Sequence, residues 1–265
     1  MALVFHGKPG LVAYLTCGDP DLGTSHEVAL AAIEAGADVV ELGVPFSDPV
    51  ADGPVIQRAS ERALRQGTSL ADVLKLARRL RQHSGAGLIV FSYFNPILRY
   101  GLERFSADAA DAGADGALVT DLPVEEAGDY LDVMRKRGLN TIFLAAPTST
   151  DERLRAIAEA ASGFVYAVSR TGVTGTRQEL ASDARQLVGR LRCYTKLPVA
   201  VGFGISNAQQ FAEVGEFADA AVVGSGIVQV MEGAGSGSGA AIAVAGFIRR
   251  LRAAAGESRA ISAVR

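Results

Sequence analysis

The sequence predicts an α/β fold, a closed (β/α)8 barrel of the TIM type in which residues 1–265 form a single domain. Three observations predict it. Short apolar runs alternate with amphipathic segments of helical period eight times, at about 33 residues per unit, the arithmetic of such barrels. The runs are apolar on both faces, as parallel strands covered by helices should be. A punctuation mark also recurs: AGADVVEL (35–42), AGADGALV (112–119) and, more loosely, EFADAAVV (216–223) each close a helix-like stretch and open a strand-like run. Gly suits the C-terminal cap of the helix and Asp begins the strand.

In chain order, the first ten residues are a short leading segment in which KPG breaks any helix. The first strand is LVAYLTC (11–17), and the second ends the run at 35–42. Strands three to eight are GLIVFS (87–92), the run at 112–119, TIFLA (141–145), FVYAV (164–168), LPVAVG (197–202) and the run at 216–223. The helices fall at 24–35, 70–83, 103–112, 125–137, 151–161, 179–192, 206–214 and 241–254. In the second of these, Leu70, Val73, Leu74, Ala77 and Leu80 recur at steps of three and four, which sets them on one face. EGAGSGSGA (232–240) reads as a flexible surface loop within the last unit. The structural alternative is a doubly wound open sheet. It lacks support, because no GxGxxG follows the first strand and eight units would make a wide sheet.

Composition narrows the function classes. The chain has 265 residues, 49% of them hydrophobic, enough for a sizeable core. Its 26 basic and 29 acidic residues leave a net charge of −3 with no basic block, which argues against nucleic acid or a lipid surface as partner. No apolar run approaches the roughly 20 residues of a membrane span, and MALVFHGKPG lacks the apolar core of a signal peptide. Cys17 and Cys193 are too few for a disulfide framework. The expectation is a cytoplasmic enzyme.

In barrels of this kind the active site lies at the C-terminal ends of the strands. That rule sorts the polar residues. Glu41 ends the second strand, and Asp48 and Asp52 follow in the proline-stiffened loop ELGVPFSDPVADGP (41–54). Asp19 follows the first strand, Asn95 the third, Asp121 the fourth, and Arg170 and Thr171 the sixth. The last three loops of the mouth read SRTGVTGT (169–176), VGFGIS (201–206) and VVGSGIV (222–228). Glycine with Ser or Thr at a helix start bares backbone N–H groups to an anion, so a phosphorylated substrate is expected. Tight turns alone are the plainer account of Gly202, Gly204, Gly224 and Gly226.

A Glu within an apolar strand costs several kcal/mol if charged and unpaired. Pairing with an Arg or with backbone donors is one reading of Glu41; an acid–base role at the barrel mouth, beside a second carboxylate, is the other. The four lysines, Lys8, Lys75, Lys136 and Lys196, all lie away from the strands' C-terminal ends, so a Schiff-base nucleophile is missing. His6, His26 and His83 form no ligand cluster, and Cys17 has no His partner and reads as a packed thiol. What remains is carboxylate acid–base chemistry without a metal.

The motif ELGVPFSDPVADGPVIQ, with LVAYLTCGDPD, FSYFNPILRYG, TDLPVEE, YAVSRTGVTGT, VGFGIS and VVGSGIV in order, resembles the alpha subunit of tryptophan synthase over nearly the whole length. The resemblance implies retro-aldol cleavage of indole-3-glycerol phosphate to indole and glyceraldehyde 3-phosphate. It implies Glu41 as general acid–base and Asp52 as the group that takes or stabilises the indole N–H proton. Tyr14 and Tyr166 would line the site, and Thr174, Gly175, Gly202, Phe203, Gly204, Gly224 and Ser225 would hold the substrate, mostly at its phosphate. Pro45 and Asp48 would face a beta subunit, in an alpha2-beta2 assembly that passes indole on to make tryptophan. The implied cofactor, pyridoxal phosphate, belongs to that partner, and none is expected in this chain.

Two features depart from the family's pattern. The usual leading helix under the barrel is replaced by about ten residues, so the bottom is either more open or plugged by Val4 and Phe5. Tyr14 stands where Phe is common, and its hydroxyl needs a partner. The same motifs would serve a free-standing lyase that releases indole. Another phosphate-binding barrel, an isomerase or epimerase, would lack ADGP after the second strand, and a non-catalytic subunit would lack the acid pair.

Overall fold

The computed structural model describes residues 3–168, 177–202 and 204–262. Eight parallel strands close into a barrel in sequence order, β1 to β8, with β8 pairing back to β1. They are β1 (Gly10–Thr16), β2 (Val39–Gly43), β3 (Gly87–Ser92), β4 (Gly116–Val119), β5 (Asn140–Ala145), β6 (Val165–Val168), β7 (Val199–Gly202) and β8 (Ala220–Val223). The helices are α1 (Leu22–Glu34), α2 (Pro54–Arg65), α3 (Leu70–Arg81), α4 (Phe94–Tyr100), α5 (Leu102–Asp111), α6 (Gly128–Lys136), α7 (Asp151–Ala160), α8 (Arg177–Leu191), α9 (Ala208–Val214), α10 (Ser225–Ala234) and α11 (Ser238–Ser262). Among the described residues no helix is long and apolar enough to cross a membrane.

Strand alternation divides the core in two. Val12, Val39, Ile89, Leu118, Ile142, Ala200, Ala220 and Val222 point into the barrel and pack on one another. The intervening residues, Leu11, Ala13, Val40, Leu42, Leu88 and Val90 among them, point outward into the helix layer. There the apolar stripe of α3 is buried as its spacing requires: Leu70, Val73, Leu74, Ala77 and Leu80 all face inward.

The recurring Asp has a structural reason. Asp38 accepts the Leu11 N–H from β1 at 2.7 Å, Asp115 the Leu88 N–H from β3 at 2.9 Å, and Asp219 the Val199 N–H from β7 at 2.7 Å. Each also binds an arginine: Arg252, Arg81 and Arg192 in turn. The Asp thus precedes its own strand, satisfies a donor at the start of the strand before it, and takes a charged partner for its remaining capacity. Gly113, the glycine of this motif before Asp115, has φ +77°, a conformation that a side chain would strain.

Three expectations change. The leading segment does plug the barrel, but through Leu3 and Phe5; Phe5 meets Phe164 edge-on at 6.1 Å, whereas Val4 is 57% exposed. Alternation in an extended segment puts 3 and 5 on one side and 4 on the other. The Gly/Ser loop expected at 232–240 shrinks to 235–237, because α10 runs on to Ala234 and α11 begins at Ser238. Glu232 is held by Arg58 and Arg62, Ala240 is buried, and the Gly237 N–H donates to Thr24 Oγ1 at 2.9 Å, so composition alone misjudged this stretch. Finally, α2, α4 and α10 are additional to the eight expected helices, and all three follow strands at the C-terminal end of the barrel.

Candidate active site

Glu41 belongs to the inward parity of β2, two residues beyond Val39, and lies in register between Tyr14 of β1 and Ile89 of β3. It is fully buried. Neither carboxylate oxygen has a hydrogen-bond partner among the described residues, so no arginine or backbone donor described there pairs with Glu41. Burial without compensation disfavours the charged form and pushes the carboxyl up to about 8. At neutral pH Glu41 therefore carries its proton.

Asp52 lies in the loop between β2 and α2, on the wall of the same cavity. Burial pushes its carboxyl up to about 6, and a hydrogen bond from Tyr93 offsets part of that rise. Tyr93 Oη donates to Asp52 Oδ2 at 3.1 Å and accepts the Ala51 N–H at 2.9 Å. Two carboxyls in one cavity are thus held in different protonation ranges, one acid and one base near neutrality.

The cavity, about 370 Å³, sits at the C-terminal mouth of the barrel. Tyr14, Phe91, Leu144, Tyr166 and Val222 form an apolar slot around the Glu41 carboxyl, and Tyr14 meets Phe91 edge-on at 5.0 Å. Two glycines make room for the tyrosines. A Cβ on Gly43 would lie 2.5 Å from the Tyr14 hydroxyl, and one on Gly202 would lie 2.4 Å from that of Tyr166. The partner that the Tyr14 hydroxyl requires is Thr16 Oγ1, 3.3 Å away.

Gly202, Gly204, Gly224 and Ser225 also line the cavity. Ser225 opens α10; the Ile227 and Val228 N–H groups donate to the Gly224 carbonyl, while those of Ser225 and Gly226 precede the first intrahelical acceptor. A Cβ on Gly226 would fall 3.1 Å from the Ile205 carbonyl, so this glycine lets the helix start close against the loop after β7. One cavity thus brings together a glycine-rich rim, an apolar slot and two carboxyls. Thr174, Gly175 and Phe203 lie outside the described residues, as do Arg170 and Thr171.

The remaining candidates stand apart from the cavity. Asp48 is exposed and accepts the Ser47 hydroxyl at 2.6 Å, while Pro45 is buried at the base of the same loop. Asp121 accepts the Phe94 N–H at 2.6 Å and so caps the start of α4. Asp19 is clasped by Arg62. Asn95 is exposed. Cys17 is buried, and burial raises its thiol far above the reactive range. Sequence reasoning missed Phe91, Tyr93, Thr120, Leu144 and Val222. The inward parity of their strands marks Phe91, Leu144 and Val222, two residues beyond Ile89, Ile142 and Ala220.

Comparison with known proteins places the chain in a family. The family profile described as "Tryptophan synthase alpha chain" matches residues 2–254. A tryptophan synthase alpha chain from Solibacter usitatus is 51% identical over 245 residues, covering 92% of each chain. One from Burkholderia pseudomallei is 48% identical over 254 residues, covering 96% of this chain and 93% of the other. Among solved structures, a Mycobacterium tuberculosis tryptophan synthase superposes with a TM-score of 0.86 at 39% identity, covering 94% of this chain and 93% of that one. A tryptophan synthase complex from Pyrococcus furiosus gives 0.84 at 36% identity, covering 93% and 99%. The chain belongs to the tryptophan synthase alpha chain family.

Proposed function

We propose that this chain cleaves indole-3-glycerol phosphate to indole and glyceraldehyde 3-phosphate with Glu41 and Asp52 as its acid–base pair. The observation that carries this reading is the buried Glu41 carboxyl, free of hydrogen-bond partners among the described residues and held protonated at neutral pH in an apolar slot. A flat aromatic substrate fits between Tyr14, Phe91, Leu144 and Tyr166, and its phosphate falls to Gly202, Gly204, Gly224 and Ser225.

The protonated Glu41 delivers its proton to indole C3. The ring gains positive charge, which the Asp52 carboxylate stabilises at the ring N–H. The C3–C3′ bond then breaks, its electron pair returning to the ring. The glycerol hydroxyl becomes the aldehyde of glyceraldehyde 3-phosphate, and its proton returns to Glu41. Protons and electrons balance, and the acid is restored for the next turnover.

Under this reading the exposed loop carrying Asp48 and Val50, with Pro45 at its base, faces a beta subunit. The assembly is alpha2-beta2 and cytoplasmic, and pyridoxal phosphate resides in the partner, which joins the released indole to serine. This chain works on a small phosphorylated molecule and needs neither cofactor nor metal of its own.

The test is indole release from indole-3-glycerol phosphate by the purified chain in chelator, with and without a tryptophan synthase beta subunit. The expected result is weak release that rises strongly with the partner. Full activity without it would mark a free-standing lyase, and no release in either case would exclude the reaction.

A further inference from the structure

Arg62 lies ten residues beyond Asp52, on the helix that begins at Pro54, and does not line the cavity. Its Nε donates to Asp19 Oδ1 at 2.7 Å and its Nη2 to Asp19 Oδ2 at 2.9 Å, while Nη1 reaches Glu232 Oε1 at 3.0 Å. Asp19 follows β1 and is 3% exposed; Glu232 lies on α10 and is further held by Arg58 at 3.2 Å. One guanidinium therefore joins the end of β1, the helix after the acid loop, and the helix that starts on the glycine-rich rim.

Elsewhere α2 is held by smaller contacts: Val55 and Ile56 pack half-buried beside Tyr14 and Val228, and the Arg58–Glu232 pair is exposed. The buried residues of α2 are Ala59, Ser60 and Ala63, all small, and Gly53 caps it without a side-chain hydrogen bond. A planar fork held at two edges resists both sliding and turning, which a flexible point charge does not. Asp52 is tied to α2 through its backbone and to Tyr93 through its carboxylate. Its carbonyl accepts from Gln57 Nε2 at 2.8 Å, and the Gln57 N–H donates to the Gly53 carbonyl at 3.0 Å, so the first turn of the helix grips the backbone of the carboxylate.

We propose that Arg62 is a positioning residue for Asp52, setting the rotation of α2 through its double clasp on Asp19 and Glu232. The proposal rests on the acid–base reading above. It assigns to an ion pair outside the cavity a share of the chemical step.

The test compares Arg62→Met and Arg62→Lys in the intact sequence and in the Asp52→Asn background, by single-turnover cleavage of indole-3-glycerol phosphate with a beta subunit present. Displacing a charged group by a fraction of an ångström lowers the rate about tenfold. Arg62→Met is expected to cost about that in the intact sequence and less than about twofold once residue 52 no longer carries the charge being placed. KM stays within about twofold, because Arg58 still holds Glu232 and with it α10. Should Arg62→Met fail to fold with Asp19 left unpaired, Arg62→Lys keeps the charge, and a several-fold loss confined to the Asp52 enzyme is expected. Equal losses in both backgrounds, or unchanged rates in the folded variants, would overturn the proposal while leaving the reaction in place. An inert unsubstituted chain would overturn the reaction and the proposal together.

Discussion

The Tyr93 hydroxyl and the Asp52 carboxylate are joined by a 3.1 Å hydrogen bond that crosses from the end of β3 to the loop after β2. The same hydroxyl takes the Ala51 N–H at 2.9 Å, and the Tyr93 ring packs on Phe46 with centroids 5.0 Å apart. One side chain thus holds the acid loop at its backbone, its carboxylate and its base.

Tyr93→Phe keeps the ring and removes the bond. That bond favours ionised Asp52, so its loss raises a carboxyl already pushed up to about 6. The ionised form is the working one, and the acid limb of the kcat profile moves to higher pH. The check is the pH dependence of indole release. An acid limb that stays in place would show that Asp52 does not set it.

Glu41 also makes stability depend on pH. Its folded value, about 8, lies above the ordinary 4.5. Between those values the folded chain holds a proton that the unfolded chain has released. Stability contributed by this group is full below about 4.5 and falls by about 1.4 kcal/mol per pH unit as pH rises towards 8. Urea unfolding at pH 5 and pH 8 measures this loss, and Glu41→Gln should flatten the difference.

Gly43→Ala places a methyl 2.5 Å from the Tyr14 hydroxyl and 2.7 Å from the ring carbon bearing it. The ring must move into the cavity or the strands must part, a cost of about 1–3 kcal/mol. Reduced thermal stability together with a raised KM is the expected outcome. Normal kinetics would show that the Tyr14 ring does not border the substrate.

At the opposite end of the barrel, Asp115→Ala should weaken the fold and spare the chemistry. It leaves the Leu88 N–H unsatisfied and the Arg81 guanidinium, paired at 2.7 Å, without its carboxylate. A loss of about 3 kcal/mol is expected, with kcat unchanged at a temperature where the variant is folded. Denaturant titration and steady-state kinetics on one preparation separate the two effects.

The strands were legible because eight apolar runs at even spacing leave few other closed arrangements, and the Ala-Gly-Ala-Asp punctuation is a real structural device seated on Asp38 and Asp115. Helices α2, α4 and α10 were not counted among the expected ones. Pro54 ends a stretch that reads as loop, Gly224 and Ser225 mark a helix start without showing its length, and α4 begins only two residues after the third strand. In the site, Glu41 and Asp52 stood out as carboxylates where apolar or turn residues were expected. Phe91, Leu144 and Val222 did not, because parallel strands are apolar on both faces and sequence then hides which parity faces inward. Tyr93 was invisible for another reason: its role depends on a contact across 41 positions of chain.

The central claim is that a buried, protonated Glu41 supplies the proton that releases indole. Single-turnover cleavage of indole-3-glycerol phosphate by Glu41→Gln, beside the unsubstituted chain, tests it most directly, since the amide nearly preserves shape and cannot exchange that proton. A folded variant slowed at least about a thousandfold, with substrate binding retained, is the predicted result. A folded variant that releases indole at a comparable rate would contradict it and remove Glu41 from the reaction.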